Sequence, residues 1–379
     1  MNLRAIVLGP RLLRPGVLAA ALTVTVACTP SAPYTKPSPP AALAKQFDAL
    51  LAMDATGAYR NLREVRVTVD GDVILERHFR VAANASLNVE SVGKTILGTL
   101  VGIAIDEGLL RGLDQTLVDL LPTYRTDMGS EVRSITIREL LTMSAGLPTD
   151  DVFYPSVFDT TKDWVATILS TGTTTPGAGT FSYSSAGSHL LSAVLSQVTG
   201  RSVLDYAREK LFNPLGIDTV PAAEPVALVK NRAEYEQARF AWPTDPQGHH
   251  IGGGGMKLTA PDLSKLGQLW LHDGVWKHRQ LVSRSWMAAS RAPQISTDGR
   301  GVTDSYGFQQ WVTTSAGHNA FAALGFGGQL VEVVPALKLV VVMQSQTSGD
   351  PRQTRPEPGT ASEPEYLAIV DNVIAPAID

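Results

Sequence analysis

The 379-residue chain has a single cysteine, Cys28. No internal disulfide can form, so the fold stands on its core alone. Charge is sparse too. Only 18% of residues are charged, the formal net charge is −4, and like charges do not gather into runs. Nucleic-acid binders carry a basic face, and this chain offers none. After residue 28 no apolar stretch is long enough to span a bilayer. Histidines are few, and the adjacent pair His249-His250 would point to opposite faces of a strand. His318 is remote in sequence, and no acidic residue stands at ligand spacing, so no metal centre is expected. What is present is apolar: 44% of the residues are hydrophobic. That is enough for one large domain, or two intimate ones, with a sizeable core.

The first 28 residues differ from the rest. Arg4, Arg11 and Arg14 precede an apolar run from Val17 to Ala27, and Cys28 follows at once. A basic start, a short apolar region and small residues before the cut describe an export signal. Thr25-Val26-Ala27-Cys28 resembles a bacterial lipobox, whose cysteine is lipidated after cleavage, although Thr25 stands where Leu is usual. The expectation is an extracytoplasmic protein anchored to the bacterial membrane through Cys28; the plainer alternative is a secretory signal with an incidental cysteine. Residues 29–41 (TPSAPYTKPSPPA) read as a stiff tether.

From residue 42 the pattern is globular. Val65, Val67 and Val69 alternate with polar residues, Asp70-Gly71 follows, and Val73 to Leu75 resume, which predicts a hairpin over 63–79. Residues 92–109 are apolar nearly all round and read as a buried helix. Further helices fit 136–143, 187–199, 202–212, 261–272 and 363–375. Strands fit 306–312, 329–334 and 337–343, with a turn at Pro335-Ala336. The fold class is therefore α/β of the α+β type: an antiparallel sheet built from both termini and flanked by helices, with a mostly helical region inserted at about 91–250. The loop at 349–362 is polar.

Three segments could carry chemistry. In Ser91-Val92-Gly93-Lys94 one helical turn sets the serine beside the lysine. A serine hydroxyl needs a base, and a desolvated lysine can be one. Lys94 is the only charge between Ser91 and Asp106; the alternative is a lysine at an exposed helix edge. Gly93-Lys94-Thr95 also invites a phosphate-loop reading, but Asn88 stands where the leading glycine is required. Tyr183 lies in the Gly/Pro-rich run Pro176 to Ser185, just before a helix. Its phenol could reach a reacting centre and ionise near an ammonium; otherwise it packs with a satisfied hydroxyl. In Ala323-Leu324-Gly325-Phe326-Gly327-Gly328-Gln329 glycines permit close approach to the backbone. An N–H there could form half of an oxyanion hole with that of Ser91; the alternative is an ordinary hairpin turn.

Seven segments in order carry a resemblance: SVGKTILGTLVGIAIDEGLL at 91, ITIRELLTMSAGLP at 135, PGAGTFSYSSAGSHLLSAVL at 176, YAREKLFNPLGI at 206, WPTDPQGHHIGGGGMKLTAPDLSKLGQLWLHDG at 242, YGFQQW at 306 and ALGFGGQLVEVVPALKLVVVMQS at 323. Over residues 42–375 the chain resembles the serine β-lactamase-related hydrolases. That group holds class C β-lactamases, D-alanyl-D-alanine carboxypeptidases, esterases and 6-aminohexanoate-dimer hydrolases. The resemblance implies a β-lactamase/transpeptidase-like fold, Ser91 as the acylated residue, Lys94 as its neighbour and Tyr183 as base or proton shuttle, with no cofactor. The oxyanion and substrate would meet Ser91, Gly325, Phe326, Ser185 and His318. Two departures stand out. Ser185 takes the Asn place of Tyr-x-Asn, and no Lys-Thr-Gly or His-Thr-Gly triplet is present; His318-Asn319-Ala320 is a loose echo. Without that cation a β-lactam carboxylate lacks its clamp. An ester or small linear amide is the expected substrate. Two rivals are a D-alanyl peptidase of the cell wall and a binding lipoprotein that acylates once or never.

Overall fold

A computed structural model describes residues 41–379 apart from 55–56, 159, 174–178, 227–231 and 348–360. Cys28, the export signal, most of the tether, the Pro176 end of the Tyr183 loop and most of the 349–362 loop lie outside the described residues.

The predicted hairpin forms as β1 (Leu62–Val69) and β2 (Asp72–His78). Asp70 and Gly71 both take positive φ, 51° and 86°, as a tight two-residue hairpin turn demands. The other strands of the main sheet come from the far end of the chain: β3 (Ile295–Ser296), β4 (Ser305–Tyr306), β5 (Trp311–Ser315), β6 (His318–Gly325), β7 (Gln329–Val334) and β8 (Leu339–Ser345). They lie in the order β2-β1-β8-β7-β6-β5-β4-β3, every pair antiparallel. β1 meets β8 with Val69 opposite Leu339 and Leu62 opposite Ser345.

The central strands are apolar on both faces, the signature of a sheet covered on both sides. Val331, Val333, Val340 and Val342 join one core with helix α2 (Val92–Asp106), helix α3 (Ser185–Thr199), helix α4 (Ala260–Leu271) and the rest of the helical region. Leu330, Val334, Val341 and Met343 face the opposite core. There helix α1 (Ala41–Ala52) and α5 (Glu363–Ile369, continued to Ile374) pack together. α2 is buried continuously from Val92 to Ala104 and forms the axle between sheet and helical region. Its small residues are needed for that. A Cβ on Gly102 would lie 2.3 Å from the Trp286 ring, and one on Gly98 would lie 3.0 Å from Gln309 Cβ.

One expectation is corrected. Residues 306–312 are not one strand; Tyr306 turns back to pair with Trp311. The alternation there marks a buried hairpin tip. Gln309, with φ 58°, is held by the helical region: its side chain donates to Leu140 O and accepts from Ser188 Oγ, and its carbonyl accepts from Thr95 Oγ1. Among the described residues no helix is long and apolar enough to cross a membrane.

Candidate active site

Ser91 sits just after a strained corner. Residues Leu87–Asn88 pair with Lys257–Leu258 in a second, four-stranded sheet, and Val89 N donates to Met256 O at 2.8 Å. Glu90 then takes φ 48°, a left-handed conformation that costs a non-glycine residue about 1 kcal/mol. Asn88 holds it there. Its Oδ1 accepts from Glu90 N (3.0 Å) and its Nδ2 donates to Glu90 Oε1 (2.7 Å). Ser91 follows as the N-cap of α2, where backbone N–H groups lack partners within the helix and the helix dipole is positive.

Lys94, one turn on, is 1% exposed. Its Nζ is met by three oxygens: Ser91 Oγ at 2.8 Å, Ser185 Oγ at 2.9 Å and Gly253 O at 2.5 Å. Burial drives its pKa down from 10.5 to about 8; the carboxylates of Asp150 and Glu90 oppose that drop. The exposed helix edge weighed from sequence is thus ruled out.

Ser185 opens α3, which packs on α2, and is fully buried. Its backbone N–H donates to Asp150 Oδ1 (2.6 Å), its hydroxyl lies 3.0 Å from Asp150 Oδ2, and Tyr154 OH donates to its Oγ at 3.3 Å. Asp150 and Tyr154 belong to one short helix, Asp150–Ser156. Ser184 caps α3 by accepting from Gly187 N, and its own hydroxyl donates to Pro148 O.

Tyr183 lies between these elements. Its ring stacks on Trp311 (centroids 5.7 Å, 11°), meets Tyr306 edge-on (6.4 Å, 83°) and has Lys94 Nζ 5.1 Å from its centroid. The Ser91 hydroxyl lies close enough to act on its phenol. Burial raises its pKa well above the usual phenol value, the Asp150 charge adds to that, and the Ser91 hydroxyl opposes it. These effects run against the ionised phenolate that a neighbouring ammonium would favour.

Two glycine segments close the cleft. The run 252–255 threads between α3 and the Glu90 corner: a Cβ on Gly253 would lie 2.7 Å from Ser185 Cβ, and one on Gly252 would lie 2.1 Å from Ser188 O. Gly252 N donates to Nδ1 of His189, whose Nε2 faces buried Asp245 Oδ2 at 3.0 Å. At the β6–β7 turn a Cβ on Gly325 would lie 3.0 Å from Ser91 N. Phe326 follows it, half-buried, and Gly327 N donates to Glu363 Oε1 (3.1 Å). Burial pushes Glu90 up to about 7, opposed by its Thr347 hydrogen bond and by the Lys94 charge; Glu363 raises it further.

The structure thus brings Ser91, Lys94, Tyr183, Ser185 and Gly325 together, with Phe326 on the adjoining turn. His318 is not among them. It begins the eight-residue β6 that Gly325 ends, about 20 Å away along the strand, and its Nε2 lies 3.3 Å from Asp379 Oδ1. The loose echo in sequence falls at the wrong end of the strand. Sequence reasoning missed Asp150, Glu90 and Gly253. Four consecutive glycines were the available signal for Gly253; nothing local marked the other two.

A family model described as Beta-lactamase matches residues 44–361. Penicillin-binding protein 4 of Amycolatopsis lactamdurans is 27% identical over 66% of this chain and 68% of its own. The 6-aminohexanoate-dimer hydrolase of Paenarthrobacter ureafaciens is 25% identical over 84% of this chain and 79% of its own. Among solved structures, EstCE1, a hydrolase with promiscuous acyltransferase activity, superposes with a TM-score of 0.66 at 19% identity, covering 89% of this chain and 99% of that one.

Proposed function

The chain belongs to the beta-lactamase family, and on that premise we propose that it is a serine hydrolase that cleaves an ester or small amide by acyl transfer to water. The observation that carries this reading is Lys94 Nζ, buried and 2.8 Å from Ser91 Oγ at the start of α2. Neutral Lys94 takes the Ser91 proton as Oγ attacks the substrate carbonyl. The oxyanion is met by the N–H groups of Ser91 and Phe326. As the tetrahedral adduct collapses, the proton passes from Lys94 by way of the Tyr183 hydroxyl to the leaving oxygen or nitrogen, and the acyl group stays on Ser91. Water then attacks the acyl-enzyme and loses a proton to the same pair; as the second adduct collapses the acyl–Oγ bond breaks, that proton returns to Ser91 Oγ and the acid leaves.

The charges that act on the cleft speak to substrate class. The Asp150 charge acts on both Lys94 and Tyr183, which disfavours an anionic substrate and favours a neutral acyl group. The likeness to a 6-aminohexanoate-dimer hydrolase supports a linear amide, and the shared fold with EstCE1 suits an ester. The penicillin-binding relative favours a second reading, an acyl-enzyme that deacylates slowly. The N-terminal signal extends the proposal to an exported protein held at the membrane through Cys28.

Intact-mass spectrometry after a fluorophosphonate probe tests the assignment. One adduct on the wild type and none on Ser91→Ala is expected; equal labelling of both would sink it. With an ester substrate, steady turnover separates hydrolase from slow acyl-enzyme, which would give a single burst.

A further inference from the structure

We propose that Asp150 is a positioning residue that aims the Lys94 lone pair at Ser91, and that it acts through the Ser185 hydroxyl. The proposal rests on the serine-hydrolase reading above. A hydroxyl has one proton to give and two acceptor positions. Ser185 Oγ has three partners: Asp150 Oδ2 at 3.0 Å, Lys94 Nζ at 2.9 Å and Tyr154 OH at 3.3 Å. A carboxylate only accepts, so the Ser185 proton goes to Asp150. Burial and the Asp150 charge keep Tyr154 protonated, so it donates. Toward Lys94, Ser185 is left as an acceptor.

The Gly253 carbonyl, 2.5 Å from Nζ, is likewise only an acceptor. A neutral amine has two N–H groups and one lone pair. With both N–H groups taken by Ser185 Oγ and Gly253 O, the lone pair is left for the third neighbour, Ser91 Oγ at 2.8 Å. That is the atom whose proton must be removed. The Ser91 hydroxyl then turns to the amine from Gly253 O, its longer partner at 3.3 Å. An amine that could rotate freely becomes an aimed base.

Asp150 is suited to this because both of its oxygens are engaged by one residue, Oδ1 by Ser185 N and Oδ2 by Ser185 Oγ. An asparagine keeps the shape and loses one acceptor. The backbone N–H cannot turn, so it claims the amide oxygen. The amide NH₂ then faces Ser185 Oγ. With two donors on that oxygen, the Ser185 proton swings toward Lys94 and occupies the lone pair. Asp150→Asn inverts one hydrogen bond two residues away from the reacting atoms.

The test uses the full-length protein, p-nitrophenyl butyrate as the ester and the fluorophosphonate probe. Asp150→Asn should lower kcat about 100-fold, the scale of a lost proton-transfer group, with KM nearly unchanged. The acid limb of its pH profile should also move to lower pH, because a negative charge beside Lys94 is gone; that shift follows from the charge alone, and only rescue by Ser185→Ala distinguishes positioning from a structural role. Ser185→Ala should cost about tenfold in kcat, since it removes an acceptor without adding a donor. The double variant should match Ser185→Ala, so the second substitution rescues the first. Wild-type kcat in Asp150→Asn, or costs that multiply in the double variant, would overturn the proposal. Should Asp150→Asn fail to fold, Ser185→Ala alone decides: wild-type kcat there overturns it as well. A wild type that takes no probe would instead refute the serine-hydrolase reading itself.

Discussion

Lys94 must be neutral to accept the Ser91 proton, and its pKa of about 8 sets when that happens. Roughly a tenth of the chains carry a neutral Lys94 at pH 7 and roughly a hundredth at pH 6. The ratio kcat/KM, which reports the free enzyme, should therefore climb about tenfold per unit up to about pH 7 and level off a little above pH 8. Glu90 complicates the climb in a specific way. Its carboxyl, pushed up to about 7, ionises within the same interval and its charge favours the ammonium. As pH rises, Glu90 holds Lys94 protonated for longer and makes the limb shallower. Glu90→Gln removes that charge. Its amide oxygen can still accept from Asn88 Nδ2 and Thr347 Oγ1, the two donors that Glu90 Oε1 meets. The Lys94 pKa should fall, so the limb should sharpen and move to lower pH with an unchanged plateau. Because Glu90 is already mostly neutral at pH 6, the gain should be small there and greatest near about pH 7.5, where a shift of about half to one unit raises the rate roughly one and a half times. Initial rates on p-nitrophenyl butyrate at constant ionic strength, corrected for spontaneous hydrolysis, measure this directly. A flat kcat/KM from about pH 6 to 8 would refute Lys94 as the base. A limb that moves to higher pH in Glu90→Gln would refute the electrostatics.

Two further outcomes are expected. Lys94→Met should abolish turnover and change how stability depends on pH. The folded-state pKa of Lys94 lies below its unfolded value, so its burial penalty is complete below about pH 8 and vanishes above the ordinary lysine value. The unfolding free energy of the wild type should gain about 2–3 kcal/mol on the variant between about pH 7 and 10, read by urea melts at both; a constant gap would contradict the burial. Cys28→Ser should release the protein from the membrane fraction of an expressing bacterium, whereas the wild type should sediment with membranes and carry the mass of a lipidated N-terminus. A soluble, unmodified wild type would remove the anchor.

What was legible in the sequence was what periodicity and spacing encode. Alternating valines around Asp70-Gly71 marked the hairpin, and an all-apolar run marked α2. The Ser91/Lys94 spacing translates directly into neighbouring side chains because both lie on one turn. Tyr183 needed several segments read together, since nothing local ties a loop tyrosine to a helix some ninety residues earlier. Asp150 was out of reach for the same reason. It meets Ser185 across 35 positions, and only the packing of two helices brings them together. The hairpin tip at 307–310 was misread because burial continued through a turn, and alternation of buried residues does not distinguish a strand from a pinned tip. His318 shows the converse, a triplet that echoes a motif but sits at the wrong end of its strand.

The pairing of β1 with β8 joins residues about 270 positions apart, and this governs the order in which the molecule can assemble. The β1–β2 hairpin can form early from local contacts, but β1 has no second neighbour until the last strand has been made. Closing so long a loop costs entropy that no nearby contact returns in advance. Until it closes, the valines of β1 lie along an open strand edge of the kind that invites pairing with other chains. A chain stopped before residue 339 would therefore keep most of its helical region and every residue that touches Lys94, yet be left with an unpaired apolar edge and a tendency to aggregate.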